Sequence, residues 1–319
     1  MTVCIAAIAS NIENPTIVAA TDKMVTAGVT TFEMSQGKRF TLGPKIVAYG
    51  AGDSSDGLLI SRRALEKIEA EGVAGVGKAA ELFAEAYREV RREVFERELL
   101  APFDLTLDEF NLRQRQLDPK IVERIDRYIR ENYLPSTNTE FGGQTIIAGV
   151  DTESGPSPDW VSAHIYVVND PGQISCEDDI GFAAIGEGAE PAEAYLMLDQ
   201  YSPDRSFSHA ALAVYGAKRR AENAPSVGPA TDLMRISSNG TGFATDDELD
   251  GFESIYLQRL TGEKEAAEEA NKEVVAYLAG MRTTSQAPIQ TQPTADDEAT
   301  PQSEHSGEAP PGALEAASE

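Results

Sequence analysis

Two short apolar runs close to the start of the chain restrict its possible folds more than any other part of the sequence. Residues 3–9 (VCIAAIA) and 16–21 (TIVAAT) are too short for buried helices and contain β-branched side chains. The Ser, Asn and Pro residues between the two runs are typical of a turn. The sequence therefore predicts a β-hairpin whose first strand begins directly after Thr2.

Further strands and helices alternate in blocks along the chain. After a strand at 45–49, helical periodicity covers 56–71, 78–100, 107–116 and 119–132. Strands are predicted again at 145–150, 160–168, 181–185 and 232–236, and helices at 189–199, 206–222 and 246–279, the last with a candidate break at Thr261-Gly262. Blocks of strands followed by blocks of helices indicate an α+β chain whose sheets are covered by helical layers.

The C-terminal segment differs in composition from the rest of the chain. Residues 285–319 contain seven acidic residues, no Lys or Arg, and many Pro, Gln, Ser, Thr and Ala residues. Such a segment buries too little apolar area to offset the entropy that it would lose on ordering. We therefore expect one domain over residues 1–284 and an acidic disordered tail over residues 285–319.

The net charge argues against several classes of function. The chain of 319 residues carries a formal charge of −26, whereas surfaces for nucleic acids or anionic membranes need clustered Lys and Arg. No run approaches the ~20 apolar residues of a membrane span, and the N-terminus lacks the features of a secretory signal. We expect a cytoplasmic protein that binds neither nucleic acid nor membrane.

The few cysteine and histidine residues argue against a metal centre and against histidine-based catalysis. Cys4 and Cys176 lack a neighbouring Cys or His at metal-ligand spacing, and both are expected to be buried apolar residues. The three histidines, His164, His209 and His305, stand far apart in the sequence. We expect no metal and no cofactor, so a hydrolytic mechanism would need a base other than histidine.

Thr2 would supply such a base after removal of Met1. Initiator methionine is usually cleaved before a small second residue, and cleavage exposes a hydroxyl and an α-amine on the same residue. A free α-amine has a pKa of about 7.7 to 8.0, so a sizeable fraction accepts a proton near pH 7. The amine can then take the role of a catalytic histidine. Taken alone, however, Thr2 is better interpreted as an ordinary small second residue.

Other residues occur at a characteristic spacing from Thr2. Residues 17–22 (IVAATD), Lys38 sixteen residues after Asp22, and residues 49–53 (YGAGD) resemble the proteasome β-subunit family of N-terminal-nucleophile hydrolases and its bacterial homologues. Segments 146–151, 185–188 and 232–238 are similar to later strands and turns of that family. The resemblance covers about residues 2–255. It implies an αββα four-layer sandwich of two antiparallel sheets over 1–284, with a helical insertion at about 90–140.

The resemblance also implies roles for the matching residues. Thr2 would be the nucleophile, and Lys38 would place a positive charge that disfavours protonation of its α-amine. Asp22 would pair with Lys38 and hold it in position. Gly52 would donate its backbone N–H to the oxyanion of a tetrahedral intermediate. A plain salt bridge and a plain turn glycine are the alternative interpretations of these last three residues.

The sequence departs from the family pattern in three respects. Relatives often have Ser between two glycines near the nucleophile, where this chain has Glu187. Its carboxylate would either bind the amino group of a substrate or pair with the α-amine and raise the pKa of that amine. The late Asp and Ser of the family have no unique counterparts, and Glu222 and Ser226 are the nearest candidates. The insertion at 90–140 falls in a region that contributes to ring stacking in the family.

Three functions follow from these features. The resemblance implies a threonine peptidase that acts on peptide or protein substrates as a homo-oligomer, with a ring arrangement and an ATPase partner left open. Hydrolysis of a small non-peptide amide is the second function, because a fold does not determine its substrate. The third is an inactive, ring-forming scaffold. The joint presence of Thr2, Asp22, Lys38 and Gly52 favours an enzyme over a scaffold.

Overall fold

The computed structural model describes residues 2–10, 14–27, 30–35, 37–52, 54–113, 117–132, 143–152 and 161–284. The chain divides into two compact units, residues 1–261 and 262–319, of which the second is described over 262–284 only. The tail predicted at 285–319 therefore lies outside the described residues. Within the described ranges, no helix is long and apolar enough to cross a membrane.

Most strands belong to two five-stranded antiparallel sheets. Sheet I contains β1 (Cys4–Ala9), β2 (Thr16–Asp22), β10 (Phe182–Ile185), β11 (Thr231–Ser237) and β12 (Gly240–Phe243), in the order β10-β1-β2-β11-β12. Sheet II contains β5 (Arg39–Gly43), β6 (Ile46–Ala51), β7 (Gln144–Asp151), β8 (Ser162–Asn169) and β9 (Gln173–Cys176), in sequential order. The short strands β3 (Met24–Ala27) and β4 (Thr30–Glu33) form a separate two-stranded sheet.

The helices fall mainly after β6 and after β10. They are α1 (Ser54–Glu71), α2 (Val76–Phe95), α3 (Leu107–Asn111), α4 (Pro119–Asn132), α5 (Ala189–Leu198), α6 (Phe207–Ala221) and α7 (Asp246–Thr284). A π-helical turn at Glu96–Leu100 and a 3-10 turn at Ala101–Phe103 follow α2.

The predicted N-terminal hairpin is confirmed and forms the middle of sheet I. β1 and β2 pair from Cys4 opposite Thr21 to Ala9 opposite Thr16. Both strands are buried along their whole length, which explains why their sequences are continuously apolar and do not alternate with polar residues. Successive side chains of β1 point to opposite faces, so Cys4 and Ile5 belong to different apolar cores.

Three apolar cores stack in layers. The central core lies between the sheets and includes Ile17 of sheet I and Ile146 of sheet II. α5 and α6 cover the other face of sheet I, where Val214 belongs to the same core as Ile5. α1 and α2 cover the other face of sheet II, where Phe83 packs in one core with Ile147. The layers therefore run in the order helices, sheet, sheet, helices.

The segment between α2 and β7 has a small apolar core of its own. Its buried side chains lie on α2, the π-helical turn, the loop before α3, α3 itself and α4, and they are Phe95, Leu100, Leu105, Phe110 and Ile125. The N-terminus of α3 carries a capping box between Thr106 and Glu109. This segment contains the described part of the helical insertion that the sequence predicts at 90–140.

The structure confirms a mixed α/β chain with antiparallel sheets, and it corrects several details. The sequence does not predict the short strands β3, β4, β5, β9 and β12, which lack a continuous apolar run. The side chains of β4, β5, β9 and β12 are largely exposed or half-buried. α7 continues through Thr261 and Gly262 without the candidate break. Membership of this layered arrangement in the N-terminal-nucleophile hydrolases stays a prediction.

Candidate active site

Asp22 is the centre of the hydrogen-bond network around Thr2. It is the last residue of β2, and it is fully buried. The Thr2 hydroxyl donates to Asp22 Oδ1 at 2.5 Å, and the Val3 N–H donates to the same oxygen at 3.0 Å. The N–H groups of Met24 and Gly228 donate to Asp22 Oδ2 at 3.2 and 3.3 Å. These donors compensate the buried carboxylate for the loss of its water.

Lys38 forms an ion pair with the same carboxylate. Its Nζ lies 3.0 Å from Asp22 Oδ1 and 3.1 Å from Oδ2. The Lys38 side chain is 12% exposed and that of Asp22 is 0% exposed, so the pair is almost entirely removed from water. Loss of either partner would leave an uncompensated buried charge. Thr2 Oγ1 and Lys38 Nζ thus share one acceptor oxygen, Asp22 Oδ1.

The backbone around Lys38 is held from two sides. The Lys38 N–H donates to Thr21 Oγ1 at 3.3 Å, next to Asp22 on β2. On β11, the strand next to β2 in sheet I, Asp232 accepts the Gly37 N–H at 3.1 Å and pairs with the Arg39 guanidinium. Residues 37–39 are therefore tied to both β2 and β11, and this fixes the point from which the Lys38 side chain reaches Asp22.

The turn between β10 and α5 packs directly on Thr2. The Gly188 N–H donates to the Thr2 carbonyl oxygen at 3.2 Å. Gly186 has φ +88°, and a Cβ at this position would lie 2.9 Å from Thr2 Cγ2, so only glycine is accommodated without strain. Glu187 lies between these glycines with an exposed side chain, and its carboxylate accepts a hydrogen bond from the Ser226 hydroxyl.

A cavity of 470 Å³ adjoins this network. Thr2, Lys38 and Gly52 all line it. Gly52 has φ +124°, and a Cβ there would lie 2.9 Å from Gly143 Cα, which also lines the cavity. Both the backbone conformation and the close approach of the two chain segments therefore require glycine at position 52. Glu187, Glu222 and Ser226 lie outside the set of residues that lines this cavity.

Lys218 on α6 holds the loop that completes the Asp22 network. Its side chain is fully buried, and burial lowers the pKa of its ammonium. Its Nζ donates to Glu222 Oε1 at 2.6 Å, to the Gly228 carbonyl at 3.0 Å and to the Pro229 carbonyl at 2.6 Å. Since the Gly228 N–H donates to Asp22, Lys218 positions one donor of the Asp22 carboxylate. Glu222 is thereby engaged with Lys218 and Arg219.

Replacement of Lys218 by Met is expected to lower the free energy of unfolding by about 3 kcal/mol, because the buried Gly228 carbonyl, the Pro229 carbonyl and the Glu222 carboxylate lose this donor. Denaturant-induced unfolding measures the change. Lys78→Met is the control, since Lys78 is exposed and pairs with the surface acids Glu71 and Glu81, and this variant is expected to leave the free energy of unfolding unchanged. A Lys218→Met protein as stable as wild type would mean that the cost of dehydrating the ammonium cancels the gain from its three hydrogen bonds.

The two cysteines differ in their surroundings. Cys4 is fully buried, as the sequence predicts, and burial raises the pKa of its thiol to about 12. A thiol with that pKa is almost entirely protonated near neutral pH, and a protonated, buried thiol is a poor nucleophile. The expectation of burial is wrong for Cys176, which is exposed on β9, a strand with exposed side chains at the edge of sheet II.

The spacing of the sequence does not suggest a hydrogen-bonded row that consists of Ser162, His164 and Asp178. His164 Nδ1 lies 2.6 Å from Asp178 Oδ2, and His164 Nε2 lies 2.8 Å from Ser162 Oγ. The hydrogen bond with Asp178 raises the pKa of the His164 imidazole. All three residues lie outside the set that lines the Thr2 cavity, so the row is separate from that site.

Three residues of the site are absent from the sequence-based hypothesis. Lys218 sits among basic residues of an ordinary helix, and Asp232 opens a predicted strand, so neither has a distinguishing local pattern. Gln144 begins β7, lines the cavity and accepts the Gly186 N–H at 3.3 Å. Only the pairing of distant segments brings these residues to Thr2.

A scan against models of protein families gave no match for this chain, and a search of curated proteins gave no significant match either.

Proposed function

We propose that this chain is a threonine peptidase of the N-terminal-nucleophile type, with Thr2 as its nucleophile. The observation that carries the proposal is the 2.5 Å contact between the Thr2 hydroxyl and Asp22, beside the Asp22–Lys38 ion pair and at the wall of a 470 Å³ cavity. A purely structural salt bridge has no need of a reactive hydroxyl and a cavity next to it. The layer order of helices, sheet, sheet and helices supports an αββα sandwich of this hydrolase type.

The proposed base is created by removal of Met1. While Met1 is attached, the Thr2 nitrogen is a peptide nitrogen, which is a hydrogen-bond donor and not a base. Cleavage would convert it into an α-amine with an ordinary pKa of about 7.7 to 8.0. The nearby ammonium of Lys38 favours the unprotonated amine, because two positive charges would repel each other. Asp22 keeps both Lys38 and the Thr2 hydroxyl in place.

The proposed reaction proceeds through an acyl-enzyme. Thr2 Oγ1 attacks the carbonyl carbon of the substrate, and the α-amine takes the hydroxyl proton. The Gly52 N–H stabilises the resulting oxyanion, for which one backbone donor contributes ~3 kcal/mol. The C–N bond then breaks as the leaving amine takes the proton from the α-ammonium. Water attacks the ester with the α-amine as base, and this step releases the acid and restores the Thr2 hydroxyl.

Glu187 has a positioning role in this proposal. Its carboxylate is engaged with Ser226, while the glycines on either side of it contact the Thr2 backbone and methyl group. We therefore assign Glu187 and Ser226 to holding the turn between β10 and α5 against Thr2, and not to binding the substrate's amino group.

Covalent labelling tests the nucleophile together with its amine. A peptide epoxyketone reacts twice with one residue, at the hydroxyl and at the neighbouring amine. We expect the mature protein to have lost the mass of one methionine residue and to gain one inhibitor on the peptide that begins with Thr2. Mass spectrometry of the intact protein and of its digest measures both changes.

Two outcomes would contradict the proposal. Retention of Met1 in the mature protein would leave Thr2 without a free amine and would favour the scaffold interpretation. Equal labelling of wild type and Thr2→Ala would place the nucleophile elsewhere. Thr106→Ala is the matched control, because the Thr106 hydroxyl also donates to a carboxylate, that of Glu109 at 2.9 Å, at the start of α3.

A further inference from the structure

The cavity next to Thr2 has apolar walls and space for a side chain. Phe40, Leu58, Ile60 and Phe83 contribute to its lining. Gly50 also lines the cavity, and no atom lies within 4 Å of the place where a Cβ of Gly50 would be. The volume of 470 Å³ lies within the range of small-molecule sites in proteins. The cavity is therefore large enough for the side chain of a substrate residue.

A carboxylate with an unused acceptor lies in the wall of this cavity. Asp170 Oδ2 pairs with Arg91 Nη2 at 3.1 Å, and both residues line the cavity. The other oxygen, Asp170 Oδ1, is buried and accepts no hydrogen bond from the residues that the structure describes. The Asp170 side chain is only 19% exposed, and burial raises the pKa of its carboxyl. Such an oxygen gains from a donor that a ligand brings into the cavity.

Backbone contacts connect Asp170 to the proposed oxyanion site. The Asp170 N–H and the Tyr87 hydroxyl both donate to the Gly143 carbonyl at 3.1 Å. Gly143 in turn packs against Gly52, whose added Cβ would lie 2.9 Å from Gly143 Cα. Gly143 therefore lies between the Gly52 turn and the backbone of Asp170. Thr2, Gly52 and Asp170 all line this one cavity.

The charges of the lining also favour a cation. Lys38 and Arg39 already pair with Asp22 and Asp232. Among the other charged residues that the structure describes in the lining, two acids, Asp56 and Asp170, stand against one base, Arg91. The carboxylates of Asp56 and Asp170 would repel an acidic side chain of a ligand. A basic side chain would instead balance the excess negative charge of the lining.

We propose that this cavity selects a basic side chain, of Lys or Arg type, on the substrate residue whose carbonyl Thr2 attacks, and that Asp170 Oδ1 accepts a hydrogen bond from its terminal nitrogen. The proposal rests on the proposed peptidase function. Asp170 is thereby a residue that determines specificity, and the apolar walls contact the methylene groups of the bound side chain. A charge-assisted hydrogen bond of this kind is worth about 10- to 100-fold in selectivity.

Paired fluorogenic peptides test the preference. We expect wild type to cleave a peptide with Lys before the scissile bond about 10- to 100-fold faster, in kcat/KM, than the same peptide with norleucine, which has the methylene chain without the ammonium. Asp170→Asn is expected to remove most of this ratio, because the Lys ammonium loses its charged acceptor, and the ratio cancels any effect that the variant has on both peptides. Asp108→Asn is the control, because Asp108 pairs with Arg92 on the surface and lies outside the cavity lining.

A binding experiment separates this proposal from the proposed function. Calorimetry with the Thr2→Ala protein compares the affinity of an acetylated peptide ending in Lys with that of its norleucine counterpart, and it requires no turnover. Cleavage of neither peptide together with tighter binding of the Lys peptide would contradict the peptidase function but not the preference. Equal affinities, or a kcat/KM ratio near one in wild type, would overturn the preference. A Lys-to-norleucine ratio unchanged in a folded Asp170→Asn protein would overturn the role of Asp170.

Discussion

Thr2→Ala is expected to reduce kcat/KM for peptide hydrolysis by about 10⁴-fold or more, because it removes the atom that forms the acyl-enzyme in the proposed reaction. The cost in stability is expected to be small, about 1 kcal/mol, since the lost hydroxyl makes one hydrogen bond to a carboxylate that keeps several other donors. Steady-state kinetics with a fluorogenic peptide and thermal unfolding measure the two effects.

Thr2→Ser distinguishes loss of the nucleophile from disturbance of the chain start. Serine keeps both the hydroxyl and the α-amine after removal of Met1, and it lacks only the methyl group that packs near Gly186. We expect Thr2→Ser to retain activity within about 100-fold of wild type. All three second residues are small, so processing of Met1 should be equal, and the intact masses verify this. An active Thr2→Ala protein would exclude Thr2 as the nucleophile.

Asp22→Asn is expected to lower kcat by about 10³-fold, because the Lys38 ammonium loses its counter-ion and the Thr2 hydroxyl loses its charged acceptor. The side-chain nitrogen of Asn also adds two N–H donors at a position where the surrounding groups are already hydrogen-bond donors. We expect the free energy of unfolding to fall by about 3 kcal/mol or more. Kinetics measured well below the unfolding temperature separate the catalytic effect from the loss of fold.

Asp199→Asn is the matched control for Asp22→Asn. The Asp199 side chain is also largely buried, at 8% exposed, and it pairs with Arg259 at 2.7 Å, but it lies outside the cavity lining. Its replacement should reduce stability and leave kcat/KM of the folded protein unchanged. If Asp22→Asn behaves in the same way, the Asp22–Lys38 pair has a structural role only, and the catalytic proposal loses its basis.

The fully buried strands and the long helices were predictable from the sequence. β1 and β2 are continuous apolar runs because both of their faces are covered, and such runs are recognisable without a structure. The sequence does not predict the short strand β12, although β11, with which it pairs, is a predicted strand. The sequence does not predict the exposed strands β4 and β9, because hydrogen bonding to a neighbouring strand, and not burial of their side chains, makes them strands.

For the candidate site, the sequence indicates several of the residues that come together but not how they are supported. The spacing of Thr2, Asp22, Lys38 and Gly52 pointed to one site, and the structure brings the first three into one hydrogen-bond network. The support from Lys218 was not predictable, since a lysine on a helix is usually exposed, and only the packing of α6 against sheet I buries it. Nor did spacing indicate that Glu187 would bind Ser226.

Local sequence by itself determined the central hairpin, the long helices and the presence of a hydroxyl residue next to the initiator methionine, because these depend on the order of neighbouring residues. Tertiary structure alone decided which donors surround Asp22, that Asp170 lines the same cavity as Thr2, and that Lys218 is buried. Each of these features joins segments far apart in the chain, as when the Gly228 N–H reaches Asp22 across 206 positions. Desolvation and hydrogen bonding act on that assembled arrangement, and no local pattern encodes them.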